Sequence, residues 1–516
     1  MVNQHDSTPQ HSALSDFTAE HRNRKVLVTG ATGYVGGRLV PDLLSAGFSV
    51  RAASRKKSSL NRFDWAGDVE KVEADLTDAS SLSEACEGID TVFYLVHSMG
   101  SQGEDFEEAE KKAAQNLADA CEQAGVRQII YLSGLFPTHL KREELSKHMR
   151  SRENVAQILL KSPTPTIVYR AATLIGSGSA SYEIIRNLSE RLPIMIAPQW
   201  INNKIEPIAI RDALYYLVKG ADLNEPVNRG FEIGCGKQYK FADLLRLYGR
   251  SRGHRRVVMG LPVRGAFDGL SGAWISLVTP VPFSIAYPLA QSMAEDSVCE
   301  EHEIAEYIPD PPGGLVSYER ALELAAEREL NGEVTTSWDD SWSTVDDNPA
   351  NPSDSDPDWA QPDSYQDVRT LESELSAEQV WPVIESIGGD SGWYSASFLW
   401  NLRGVMDKAV GGPGLGGRRD PRTLKVGDRL DWWRVESIDR PHQLVLRAEM
   451  KVSGRAWLVL ELKDKDGGGC IYKQTAVFLP QGIRGRLYWY GVLPFHAFIF
   501  PTMARRILAT AASRAH

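Results

Sequence analysis

Short, continuous apolar runs alternate with amphipathic stretches through the first three hundred residues. Val26, Leu27 and Val28 open the series, and further runs follow at Phe48 to Ala53, Val69 to Val72, Thr91 to Val96, Val126 to Leu132 and Thr166 to Ala171. Runs this short and this uniformly apolar read as strands covered on both faces, as in a parallel sheet. The stretches between them carry helical periodicity, among them the helix after Val28 that reaches about Ala46 with Pro41 as a kink, and a charged one from Asp105 to Gln123. Alternation of this kind predicts an α/β class with a doubly wound parallel sheet.

Beyond about residue 364 the pattern changes. Tyr365 to Leu375 reads as a strand, and Ser376 to Gln379 supplies a capping box for a helix carrying Val380, Trp381, Val383 and Ile384. Arg429 to Ser437, Gln443 to Val452, Arg455 to Lys463 and Cys470 to Leu479 are rich in β-branched and aromatic residues. Turn signals at Asp466-Gly467 and Pro480-Gln481-Gly482 separate the later ones, which predicts an antiparallel sheet. An apolar helix from about Tyr488 to Leu508 closes the chain, so the second part is expected to be α+β.

A chain of 516 residues exceeds one ordinary core. We divide it into an arm over 1–23, expected to be disordered, an α/β domain over 24–328, a linker over 329–363 and a second domain over 364–516. The linker rests on charge. Eleven carboxylates, from Glu329 to Asp367, lie between Arg328 and Arg369 with no Lys or Arg among them, and they equal the whole net charge of -11. Pro349, Pro352, Pro357 and Pro362 extend the same stretch. Neither domain has the basic stripe that nucleic-acid binding requires. The Asp-rich run lacks the ordered spacing of a calcium loop. Five scattered cysteines (Cys86, Cys121, Cys235, Cys299 and Cys470) argue against a zinc site or a disulfide framework and for a reducing, cytoplasmic setting. No metal site is expected, and the sequence leaves the oligomeric state open.

The chemistry is organised around Lys25 to Gly37, KVLVTGATGYVGG. Gly30, Gly33 and Gly36 punctuate the turn from the first strand into the first helix, with Thr32, Tyr34 and Val35 between them. Such a turn lets backbone amides and the helix N-terminus approach a pyrophosphate. TGATGYVGG resembles the fingerprint of the extended and atypical short-chain dehydrogenase/reductases, especially the NmrA-like group, over about Arg24 to Tyr318. The resemblance implies an NAD(P)-binding Rossmann domain. At the end of the second strand, where NAD enzymes need a carboxylate, stand Ser54, Arg55 and Lys56, which suit a 2′-phosphate and favour NADP over NAD. The family pattern places Asp75 and Leu76 against the adenine and Leu95 and Val96 beside the nicotinamide ribose.

Most relatives carry Tyr-x-x-x-Lys on the helix after the fifth strand. The aligned stretch is Ser146 to Glu153, in which His148 takes the Tyr position and Arg152 the Lys position, on one helical face. An imidazole exchanges protons near neutrality, whereas a guanidinium grips hydroxyls or phosphates but does not deprotonate. Ser133 occupies the place of the active-site hydroxyl. Arg170, Ser179 and Tyr182 are candidates for the substrate side, Arg170 equally for a structural ion pair. Two readings stay open: an oxidoreductase using His148, and a binding protein or sensor in which no hydride moves.

Gly269 to Ala294 holds no charged residue but three prolines, Pro280, Pro282 and Pro288. It reads as an apolar wall beside the cleft rather than a membrane span, and points to a greasy substrate. The order of elements in the last domain resembles a domain that follows NmrA-like domains in bacterial proteins, distantly similar to polyketide-cyclase and START-like helix-grip folds. That resemblance implies a lipid-like ligand. The loop Gly411 to Arg419 reads as a mobile surface loop or an anion clamp. The charge-free run Leu487 to Met503 allows peripheral membrane contact, although Pro494 and Pro501 favour a packed helix closing a cavity.

Overall fold

In the computed structural model the described residues are 17–96, 106–135, 140–261, 283–331, 333–338, 365–395, 415–450, 454–465, 467–480 and 482–515, with isolated positions between. The chain divides into two compact units: Met1–Arg328 with Thr335–Trp338, and Glu329–Val334 with Asp339–His516.

The first unit is built on β1 (Lys25–Thr29), α1 (Gly36–Ala46), β2 (Ser49–Ser54), β3 (Glu70–Glu73), α2 (Ala79–Cys86), β4 (Thr91–Tyr94), α3 (Phe106–Ala124), β5 (Gln128–Gly134), α4 (Lys147–Lys161) and β6 (Thr166–Ala171). There follow β7 (Thr173–Ile175), α5 (Ala180–Arg191), β8 (Ile194–Pro198), β9 (Lys204–Ile205), β10 (Pro207–Ala209), α6 (Ile210–Asp222), β11 (Arg229–Ile233), β12 (Tyr239–Lys240), α7 (Phe241–Ser251), β13 (Val257–Leu261), α8 (Phe283–Ser292) and α9 (Tyr318–Asn331). Seven strands form one parallel sheet in the order β11-β6-β5-β4-β1-β2-β3. The chain reverses its direction of winding between β1 and β4, and a crevice at the carboxyl ends of those strands is where such sheets bind ligands.

Both faces of the sheet are covered, which is why its strands lack polar alternation. On one face Val26, Val28, Ile130 and Tyr169 pack with α1 and α6; on the other Leu27, Val92, Ile129 and Val168 pack with α2, α3 and α4. Pro41 lies inside α1, and Gly47, in the left-handed region, ends that helix.

Part of the expected arm is ordered. Ala19 is buried, its N–H bonds Ala46 O at 2.9 Å, and His21 and Glu20 donate their N–H groups to the Asp222 carboxylate. These bonds tie the segment to the last residues of α1 and α6, so disorder is the wrong description for residues 17–23. Residues 1–12, 15–16 and the acidic stretch 339–364 lie outside the described residues.

The second unit contains β14 (Tyr365–Ser373), α10 (Ala377–Glu385), β15 (Arg429–Leu430), β16 (Trp433–Asp439), β17 (Gln443–Ala448), β18 (Gly454–Asp464), β19 (Cys470–Pro480) and α11 (Gly482–Ala515). Its six strands form an antiparallel sheet in the order β14-β19-β18-β17-β16-β15. The capping box at Ser376 is present. One expected strand is split: Asp431, at φ 57°, turns the chain between β15 and β16 and accepts hydrogen bonds from Trp393 Nε1 (2.7 Å) and Gly417 N (3.0 Å). The core holds Trp381, Trp393, Trp432 and Trp433, together with a fully buried two-pronged Arg434–Glu449 ion pair at 3.0 and 3.1 Å. Tyr394 packs against this core beside Trp393. Arg418 and Arg419 are engaged internally, Arg418 with Glu385 O (3.0 Å) and Ile387 O (2.8 Å), Arg419 with Asp428 (2.7 Å). That removes the two arginines expected to clamp an anion. The glycines Gly411 to Gly414 and most of Leu399 to Gly404 lie outside the described residues.

Candidate functional site: a dinucleotide cleft at the β1–β4 switch point

The glycine turn stands at the head of the crevice. Gly30 takes φ 70°, a left-handed conformation, and a Cβ there would sit 2.8 Å from Leu95 O. Gly33 N–H donates to Gly30 O (3.0 Å) and Gly37 N–H to Gly33 O (2.9 Å), which folds the turn into α1. A Cβ at Gly36 would overlap the Gly30 carbonyl. Among the described residues the N–H groups of Tyr34 and Val35 have no hydrogen-bond partner, so they are left for an anion at the positive end of α1.

Leu95 and Val96 follow β4 directly, and Leu95 lies against Gly30, so the structure brings these two expected residues to the turn. Thr32 offers its carbonyl to Arg62 Nη2 at 2.9 Å. Arg62 escaped the sequence reading because it stands on a short 3-10 helix (Lys57–Arg62) with no regular spacing from the turn. At the end of β2 the Ser54 hydroxyl meets Ser59 Oγ (2.7 Å), while Arg55 and Lys56 are exposed. Asp75 is engaged locally, its Oδ1 accepting from Thr77 N (2.8 Å) and Thr77 Oγ1 (2.7 Å). Leu76 is buried.

Tyr34 is also held from behind the turn. Its carbonyl accepts from Thr336 Oγ1 (2.9 Å), and Thr336 Oγ1 in turn accepts from Arg38 Nε (2.8 Å), whose Nη2 reaches Ser177 O (2.7 Å). Trp338 N–H closes the strap on Gly178 O at 2.8 Å. Residues 335–338, assigned from their charge pattern to the linker, thus belong to the first unit and brace the glycine turn. The buried Arg38 amid the apolar positions of α1 was the signal for a partner of this kind.

The β5–α4 end is built from side chains. Ser146 caps α4, accepting Met149 N–H at 3.3 Å, and His148 sits half-buried in its first turn. Arg152, one turn on, donates to Leu132 O and lies 5.6 Å over the Tyr131 ring, while its Nε has no hydrogen-bond partner. Ser133 is 3% exposed, and its Oγ meets no partner at ordinary hydrogen-bond geometry. Burial raises the Tyr131 phenol above its usual range, so it stays neutral. Ser133 Oγ and Arg152 Nε thus both lie buried beside Tyr131 at the carboxyl end of β5.

The three substrate-side candidates each have partners within the first unit. Arg170 pairs with Glu153 at 3.4 Å. Ser179 caps α5, accepting from Tyr182 N (3.1 Å) and donating to Leu174 O (2.9 Å). Tyr182 is fully buried against Tyr248. Periodicity cannot separate a pocket wall from a cap or a core ring. From the charge-free run the described positions Ile275, Thr279 and Val281 are buried, and α8 packs against α4; the rest of Gly269 to Pro282 lies outside the described residues.

Comparison with known proteins agrees with this geometry. Residues 30–186 match the family described as NAD(P)H-binding, and residues 359–503 match Protein of unknown function (DUF2867). The first unit contains an NAD(P)H-binding Rossmann domain. A 3 beta-hydroxysteroid dehydrogenase/Delta 5-->4-isomerase of Mycobacterium tuberculosis is 35% identical over 118 residues, 21% of this chain and 31% of that protein. A dihydroflavonol 4-reductase of Zea mays is 34% identical over 131 residues, 23% of this chain and 37% of that protein. The chain thus spans about a third of the length of these curated relatives. The structure of Citrobacter sp. triphenylmethane reductase complexed with NADP(H) is 16% identical, with a TM-score of 0.46 over 58% of this chain and 99% of that one. Among the described residues no helix is long and apolar enough to cross a membrane.

Proposed function

We propose that the protein is an NADP(H)-dependent oxidoreductase of the NmrA-like kind acting on an apolar carbonyl, enone or quinone-like substrate. The observation that carries this reading is the crevice itself: a glycine turn with free amides at one end, and at the other Ser133 and Arg152, the latter with an Nε that meets no acceptor. The exposed Arg55 and Lys56 at the end of β2 support the 2′-phosphate over a bare ribose. When bound, the dinucleotide supplies or takes the hydride. His148 gives or takes the accompanying proton, Arg152 grips the ribose with the donors it does not use on Leu132 O, and Ser133 orients the reacting group. The apolar helix α8 beside α4 supports a greasy substrate. We assign the second unit a helix-grip-like role, holding or presenting that substrate between its sheet and α11.

A second reading, a non-catalytic NADP(H) sensor, is favoured by one observation: Arg152 is already engaged by Leu132 O and Tyr131, so the altered pair does not reproduce a Tyr–Lys proton relay. Following NADPH absorbance against hydrophobic ketones, enones and quinones separates the two. The expected result is oxidation with at least one class, lost in His148→Phe, which keeps its NADPH affinity; Arg152→Ala weakens that affinity by roughly ten-fold. Tight NADPH binding with no acceptor reduced puts the sensor ahead, and full activity in His148→Phe removes that residue from the chemistry.

A further inference from the structure

α11 is two helices in one. Its second half is an ordinary core element: Phe500, Met503, Ala504, Ile507 and Ala511 are buried against the sheet of the second unit. Its first half packs by a narrow inner edge, where Trp489 stacks on Phe478 with ring centroids 5.8 Å apart and on Tyr365 at 5.7 Å. The opposite side of that half should be polar if it met only water. Instead Leu487 (67% exposed), Phe495 and Phe498 (61% exposed) face outward, with Tyr490 at the margin, exposed but with its ring 5.9 Å from that of Tyr365. Pro494 and Pro501 stay within the continuous helix, so they do not turn these side chains inward.

Charge says what covers this face. From Gly482 to Ala515 there is no Asp or Glu, while Arg484, Arg486, Arg505, Arg506 and Arg514 fall there, in a chain of net charge -11. Arg486, Arg505 and Arg506 are exposed and bracket the stripe at its two ends. At 100° per residue, Arg505 lies in line with Leu487 and close to Phe498. An antiparallel pairing with a second copy would bring Arg486 of one chain onto Arg505 and Arg506 of the other, with no acid on the helix to offset the repulsion. A layer of lipid phosphates offers the opposite charge on both sides of an apolar bed.

We propose that the first half of α11 is a docking face for an anionic membrane surface, lying in the plane of the interface with Leu487, Tyr490, Phe495 and Phe498 inserted and the flanking arginines at the phosphates. The stripe is about 17 Å long, enough for an interfacial anchor and too short for a span.

The full chain is to be co-sedimented with vesicles of phosphatidylcholine alone and with added phosphatidylglycerol. Binding is expected to strengthen with the anionic lipid and weaken with salt. Phe495→Ser with Phe498→Ser lowers it by roughly ten-fold or more while leaving the melting temperature and NADPH affinity unchanged. Arg505→Glu with Arg506→Glu removes the preference for anionic vesicles, about five-fold per arginine. Absence of vesicle binding overturns the proposal, as does a double-serine variant that binds as wild type. A wild-type dimer that the double-serine variant converts to monomer would assign the face to a second copy instead. None of these outcomes touches the cofactor reading, which the NADPH titration tests by itself.

Discussion

At the β1–α1 turn the groups offered to a ligand belong to the backbone, whereas at the β5–α4 end they are side chains, and one of them, Arg152, already donates to Leu132 O. The first arrangement is dictated by absent side chains: a Cβ at Gly30 would meet Leu95 O, and one at Gly36 would meet Gly30 O. The second depends on which residues happen to stand on α4, and there His148 and Arg152 have replaced the familiar pair. On the function proposed above, nucleotide binding and turnover are therefore separable. The backbone end would hold a dinucleotide whatever α4 carries, while the α4 end would set whether a proton moves.

The largest test of that contrast is steric. Gly36→Val drives two methyls into the turn and is expected to abolish NADPH binding, a loss beyond about a hundred-fold. Because this variant risks misfolding, Gly33→Ala is the companion; its Cβ would lie 3.3 Å from Gly30 O, a tight contact that the turn can absorb in part. A loss of roughly ten-fold with an unchanged melting temperature is expected by calorimetry. Unaltered affinity in both variants would break the comparison by showing that the turn does not touch the ligand.

The smallest effect concerns the helix behind the turn. Burial lifts the Asp42 carboxyl on α1 from an ordinary 3.8 to about 6, with Arg328 and Arg38 pulling the other way. The folded chain then binds more protons than the unfolded one between those values, so this group's contribution to stability falls as pH rises through 4 to 6. Asp42→Asn is expected to raise stability at pH 7 by about 1–3 kcal/mol, and the gain to vanish below about pH 4. Melting curves across that range check it. A gain that persists in acid would mean that the carboxylate is not ionised at a cost.

What was legible in the sequence follows the same division. The parallel sheet, its order of elements and the glycine turn could be read because strand burial and glycine spacing are local properties. Leu95 and Val96 came with them, being the residues that directly follow β4. Arg62, Thr336 and Arg38 were missed as parts of the turn because their contacts join positions 30 and 298 residues apart. Ser179 and Tyr182 were assigned to a pocket because a hydroxyl reads the same whether it caps a helix, sits in a core or meets a substrate. In the second unit the antiparallel pattern was visible, but the two faces of α11 were not: charge-free sequence is the same on the side that packs and the side that does not.

The most direct measurement is a calorimetric titration of the full chain with NADPH and with NADH, repeated on Arg55→Asp. Wild-type protein is expected to bind NADPH the more tightly, and the substitution to cost NADPH roughly ten- to a hundred-fold while changing NADH little, because only the former carries the 2′-phosphate. Equal affinities for the two nucleotides with equal losses in the variant would remove Arg55 from the site and NADP from its place as the preferred cofactor. No binding of either nucleotide would contradict the account of the cleft itself.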